Sequence, residues 1–375
     1  MELWQIILIV VLGIVLIAGI VITIIANKFI TAFFMPKTKA WNAVPWKKKS
    51  TPKTDREKEI QECKDSTRKK AQEWRDSSTV QDLWVNSREG YRLHGFFYPA
   101  KKESHKYALC IHGYRGNTAN IAPYGLHYAE MGFNVILTEN RCIGQSEGKF
   151  LSMGWNEKYD ALAWLNCITE MDKDAQIILH GESMGAAIVL MTLGEAVPEN
   201  LKCAISDSAF DTAWNQFKHL GKHKMHKKTN MGLYIWKIFI RLRLGFSLKK
   251  VSCIKQLKKA RTPVLLIHGG ADTLVPPTML TPIYNSIPSP KDWFIFPRQS
   301  TASRFLLTHR PTGKKSTSSS TGLPRNCYKK ITGVTAPINH YQLDSSSSAS
   351  SSSSRPQSIS LRAWNIPFKP FAVSL

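Results

Sequence analysis

The segment His180-Gly181-Glu182-Ser183-Met184-Gly185 sets a serine between two glycines in the pattern Gly-x-Ser-x-Gly. A serine hydroxyl is a weak nucleophile. It becomes effective when a tight turn exposes its Oγ and a neighbouring base takes its proton. The context here is right for such a turn: the apolar run Ile177 to Leu179 precedes it, and the small-residue stretch Met184 to Leu193 follows. Gly181 and Gly185 stand where a side chain would meet the neighbouring strand or helix. Attack by Ser183 on a carbonyl would create an oxyanion, which two backbone N–H groups stabilise best. Met184, directly after the serine, is one candidate donor, and Tyr114, in the loop His112-Gly113-Tyr114-Arg115-Gly116, is the other. His112 precedes the nucleophile and is read as shaping that loop, not as the base. The acid is expected at Asp272, just beyond the apolar run Val264 to Ile267, with Asp207 as a weaker rival.

These residues require a scaffold. Apolar runs fall at Ala108 to Ile111, Asn134 to Leu137, Ile177 to Leu179, Cys203 to Ile205, Val264 to Ile267 and Trp293 to Phe296, with helical patterns such as Tyr159 to Glu170 between them. Strands alternating with helices predict a mainly parallel sheet covered on both faces, and runs apolar throughout fit strands buried on both sides. Two further strands, Gln81 to Asn86 and Leu93 to Tyr98, flank the turn Ser87 to Gly90. The long stretch from Ser206 to Thr262 exceeds one crossover helix and reads as an inserted cap, about residues 211–260.

From about Thr79 to Phe296 the chain resembles the α/β-hydrolase superfamily, most closely its bacterial branch of membrane-anchored esterases and lysophospholipase-like proteins. The resemblance rests on His112-Gly113-Tyr114, Arg141 to Gly148, the turn at Ser183 and the Asp272 segment. It implies an α/β-hydrolase fold and serine-hydrolase chemistry on carboxylic esters, with no metal or organic cofactor. Around Arg141 the family has Asp-x-Arg-Gly-His-Gly; here Glu139, Cys142 and Ile143 replace the Asp, Gly and His. A second departure is chemical. The family's catalytic histidine follows the last strand, and an ungapped alignment puts Thr301 there. Threonine cannot cycle a proton at neutral pH. Three explanations stand open: a substitute histidine such as His309 or His340, a non-catalytic relative that still binds acyl ligands, or a shifted reading frame near residues 298–308. The last is favoured because Ser300-Thr301 codons, read in the next frame, can encode histidine.

Residues Leu3 to Asn27 carry no charge and are almost wholly apolar, enough for about 20 residues to cross roughly 30 Å of hydrocarbon. A single-pass anchor over residues 1–27 is expected, then a polar stalk over 28–78, the hydrolase domain over 79–308 and a low-complexity tail over 309–375. Lys28, Lys37, Lys39 and Lys47 to Lys49 all follow the apolar run, which puts the domain on the cytoplasmic side. The net charge is +24, and Lys218 to Arg261 holds fourteen basic residues and no acidic one. No zinc-ligand spacing or RNA-binding signature accompanies that charge, so an anionic membrane surface is the expected partner and nucleic acid is not. Seven cysteines without a Cys-x-x-Cys pair argue against a disulfide framework. The substrate is expected to be a small or lipid-like ester. Oligomeric state is not legible.

Overall fold

The structure, a computed structural model, describes residues 2–43, 54–224 and 231–296. Its centre is an eight-stranded sheet. In chain order the strands are β1 (Gln81–Asn86), β2 (Arg92–Tyr98), β3 (Lys106–Ile111), β4 (Asn134–Thr138), β5 (Gln176–Glu182), β6 (Leu201–Asp207), β7 (Val264–Gly269) and β8 (Lys291–Phe296). Their order across the sheet is β1-β2-β4-β3-β5-β6-β7-β8. Strand β2 runs antiparallel to β1 and β4, and every other neighbouring pair is parallel.

The strands have no polar face because both faces are covered. Leu109 and Ile111 of β3 point into one apolar cluster, while Ala108 and Cys110 point into a second on the other face. The helices that cover the sheet include α4 (Thr118–Glu130), α5 (Glu157–Met171) and α6 (Met184–Thr192). Between β6 and β7 lies the inserted segment, with α7 (Ala213–Lys224), α8 (Met231–Leu244) and the short α9 (Cys253–Leu257). Helix α10 (Leu280–Ser286) joins β7 to β8.

The N-terminal region differs from the anchor-plus-stalk expectation. Helix α1 (Leu3–Phe34) does not stop where the apolar run stops. It is one helix long and apolar enough to cross a membrane, and its most apolar stretch is left uncovered by the described residues. Its last turns bury Ala26, Ile30 and Phe34, spaced four apart on one face, with Ile30 and Phe34 in the core of the domain. A short helix, α2 (Lys39–Ala43), buries Trp41 beside them. Helix α3 (Asp55–Ser77), expected as a charged spacer, is docked at its C-terminal end. Ala71 is buried, the Trp74 ring sits 4.6 Å from that of Tyr98, and Arg75 donates to the Tyr98 hydroxyl. Residues 28–43 and the end of α3 are therefore part of the domain, because each carries an apolar face that the sheet or its helices can cover.

The loop after β4 is held by charge. Arg141 donates twice to Asp160, at 2.7 Å each, and also to Glu89 at 3.0 Å. Glu139 accepts from the Gln145 N–H and pairs with His94, so the departure from the family's Asp is absorbed locally. Cys142, in the place of a glycine, adopts φ +64. That conformation costs a non-glycine residue about 1–2 kcal/mol. Removing one partner of a buried pair leaves an unpaired charge. Arg141→Met is thus expected to strand Asp160, whose side chain is 8% exposed, and to lower stability by about 3–5 kcal/mol in chemical denaturation of the detergent-solubilised protein.

Candidate active site

Ser183 occupies the turn between β5 and α6 with φ +56 and ψ −117, a backbone conformation rare for a residue with a side chain. Two close backbone approaches impose it. A Cβ on Gly181 would lie 2.3 Å from the Gly185 carbonyl oxygen, and a Cβ on Gly185 would lie 2.2 Å from that of Ile111. The helix therefore starts directly against the ends of β3 and β5, and Ser183 is pushed out at the C-terminal edge of the sheet. Its own N–H donates to the Asp207 carbonyl at 2.7 Å, which locks the turn to β6. Helix α6 is buried at every residue, so its packing offsets the strain of the turn.

The loop 112–116 lies against this serine. A Cβ on Gly113 would stand 3.1 Å from the Ser183 Cβ and 3.7 Å from its Oγ. Met184 opens α6, where the first N–H groups have no partner within the helix and the helix dipole favours negative charge. Tyr114 follows Gly113 in the same loop. His112 is buried, its Nδ1 is 2.8 Å from the Gly113 carbonyl, and its Nε2 accepts from the Asn140 N–H. Burial holds its pKa down to about 4, so it is a neutral loop brace. His180, just before the turn, is likewise buried and pushed down to about 3.

The N-terminal helix clasps the outer side of this loop, which the sequence did not reveal. The Tyr114 hydroxyl donates to the Phe33 carbonyl at 2.6 Å, and burial pushes its pKa up to about 12. Arg115 donates to the carbonyls of Ala32 and Trp41, at 2.7 Å each, and lies over the Trp41 ring. The carbonyls near a helix C-terminus lack partners within the helix, so they are ready acceptors for such donors.

Asp272 lies past the C-terminal end of β7, two strands from β5 on the same edge of the sheet. It is buried, and its Oδ1 accepts from the N–H groups of Leu274 and Val275. Two histidines that the sequence reading passed over meet this turn: His268 Nε2 lies 2.9 Å from the Val275 carbonyl, and His219 Nε2, on α7, lies 3.0 Å from the Thr273 carbonyl. The rival acid, Asp207, accepts from Tyr124 and Ser208, which gives its carboxylate a bracing part. Thr301, His309 and His340 lie outside the described residues. Among the described residues, one group of metal-ligand type, His105, Asp172 and Asp174, gathers at the surface. It lies by the N-terminal end of β3, at the opposite edge of the sheet from Ser183.

A family model described as the alpha/beta hydrolase fold matches residues 109–225. The chain is 27% identical over 212 residues to YqkD, an uncharacterized protein of Bacillus subtilis (strain 168), covering 56% of this chain and 69% of that one. It is 25% identical over 231 residues to YfhR, an uncharacterized protein of Escherichia coli (strain K12), covering 59% and 73%. Among solved structures it is similar to the Pyrococcus furiosus esterase Pf2001, with a TM-score of 0.51, 21% identity, and coverage of 61% of this chain and 85% of that one. That likeness is one of fold.

Two substitutions test the geometry. In Gly185→Ala the new methyl meets backbone oxygens, which cannot move aside as a side chain can, so a loss of at least about 3 kcal/mol is expected. Gly221→Ala, on α7 with open space around it, should be neutral or stabilising in the same denaturation assay. Tyr114→Phe keeps the peptide N–H but loses the bond to Phe33, with an expected cost of about 1 kcal/mol in that assay.

Proposed function

We propose that this chain, whose fold is that of the α/β-hydrolases, is a serine hydrolase that cleaves carboxylic esters through an acyl-enzyme at Ser183. The observation that carries this reading is the strained turn at Ser183, φ +56, held at the sheet edge against the loop 112–116. A structural serine gains nothing from that conformation, whereas a nucleophile gains an exposed Oγ.

In this reading Ser183 Oγ attacks the ester carbonyl and gives its proton to a base. The oxyanion is taken by the N–H groups of Met184 and Tyr114. The tetrahedral intermediate collapses, the base returns the proton to the leaving alcohol, and water then hydrolyses the acyl-enzyme by the same route. Asp272 orients and stabilises the base once it is charged. The chain order serine, acid, histidine calls for that base beyond Phe296, where the chain as written offers His309 and, in the family's own position, Thr301. The apolar helix α1 and the cationic cap support lipid-like or amphiphilic esters as substrates, with the domain on the cytoplasmic face of a membrane.

Thr301 favours a second reading, a membrane-tethered relative that binds acyl ligands without turning them over. A fluorophosphonate probe separates the two. The first reading expects covalent labelling that Ser183→Ala abolishes and that His309→Ala slows by about 100-fold or more. Absence of labelling in the unaltered chain, with acyl-ligand binding retained, would establish the second reading.

A further inference from the structure

Helix α8 is apolar on two faces, and among the described residues only one of them is covered by protein. Its inner face carries Trp236, whose ring meets Phe33 at 5.7 Å and Phe217 at 6.0 Å, together with the buried Ile240 and Leu244. Its outer face carries Tyr234, Ile238 and Leu242, four residues apart, which are 50%, 54% and 77% exposed. A helix on a water-facing surface places polar residues there. Here three large apolar side chains stand in a row on one stripe.

The location of this stripe says what covers it. Arg243, near the end of α8, donates to the Asn27 carbonyl and the Thr31 hydroxyl of α1, at 2.9 and 3.0 Å. That point on α1 is where the exposed apolar run, Leu3 to Ile25, gives way to the first charge, Lys28. The apolar surface of α1 therefore ends beside α8, near the C-terminal end of that helix. Lys237, Arg241 and Arg243 lie along the same helix, Lys237 over the Tyr234 ring, and the surrounding segment from Lys218 to Arg261 has no acidic residue. At fourteen residues α8 is too short to cross a bilayer, for which about 20 are needed. A short helix with an apolar stripe edged by cations lies in the membrane interface, its stripe sunk about 5–10 Å.

We propose that α8 docks in the interface of the bilayer that α1 crosses, with Ile238 and Leu242 below the headgroups and Lys237 and Arg241 against acidic lipid headgroups. This surface anchors the cap to the membrane whether or not Ser183 turns over substrate.

The test uses the full chain in vesicles of phosphatidylcholine mixed with phosphatidylglycerol. On a Cys63→Ser, Cys167→Ser, Cys327→Ser background, an environment-sensitive fluorophore is attached at Ile238→Cys, at Leu242→Cys, or at Glu199→Cys, an exposed position just before β6 at the opposite edge of the sheet from Ser183. Lipids bearing a nitroxide near the headgroup should quench the labels at 238 and 242 but not at 199, and aqueous iodide should quench only 199. Iodide quenching at 238 and 242 equal to that at 199 would overturn the proposal. Labels at 238 and 242 shielded from both quenchers would also overturn it, in favour of cover by the chain's own residues beyond 296 or by a second copy. Lys237→Glu with Arg241→Glu should weaken the lipid quenching by about twofold or more. An unchanged value would overturn the assignment of acidic headgroups.

Discussion

The meeting of three backbones at Ile111, Gly181 and Gly185 is the constraint on which the rest of this fold depends. Gly185 sits so close to the Ile111 carbonyl that no side chain fits between them. This approach starts α6 at the sheet edge without a linker. Ser183 is then the residue that must absorb the change of direction, and it does so at φ +56. The same approach sets the end of β3, and so the loop 112–116, beside the serine. The strain of the turn, about 1–3 kcal/mol, is small beside the burial of every residue of α6. The position and backbone conformation of Ser183 are in this sense consequences of packing two strands and a helix too tightly for side chains.

A second layer of support comes from outside the sheet. The loop 112–116 is braced from within by His112 and Asn140 and from without by the carbonyls of Ala32, Phe33 and Trp41. The inner brace works because burial keeps His112 neutral, so one ring nitrogen can donate and the other accept. The outer brace works because α1 ends there and its last carbonyls need donors. A helix whose apolar run suits a bilayer thus also completes the surroundings of Ser183.

The sheet was readable from the sequence because strands buried on both faces leave uninterrupted apolar runs, as in Ala108 to Ile111 and Asn134 to Leu137. The serine turn was readable because its glycines are steric necessities. The continuation of α1 was not, since Lys28 and Thr31 resemble the start of a polar linker. The signal was present in Ala26, Ile30 and Phe34, one face at helical spacing, but it was overshadowed by the apolar run before it. The docking of α3 escaped notice for a related reason: among the described residues its core contact is made by Ala71 and Trp74, at the end of a helix otherwise rich in charge. His219 belongs to no motif, and His268, although inside the Asp272 segment, drew no role because its contact is with a backbone carbonyl. A base was illegible for a different reason, since an ungapped alignment puts Thr301 at the family's histidine.

The unbroken course of α1 has a mechanical consequence. A single helix runs from the exposed apolar stretch into the domain core, with no hinge between them. Within a bilayer, any lean of that helix is a lean of the whole domain. The run from Leu3 to Ile25 is about 35 Å long at roughly 1.5 Å per residue, slightly more than the hydrocarbon it would cross, so helix tilt follows membrane thickness. Set in a bilayer, the domain would behave as a rigid lever, and the attitude of its sheet edge toward the lipid surface would be a property of the host membrane as much as of the chain.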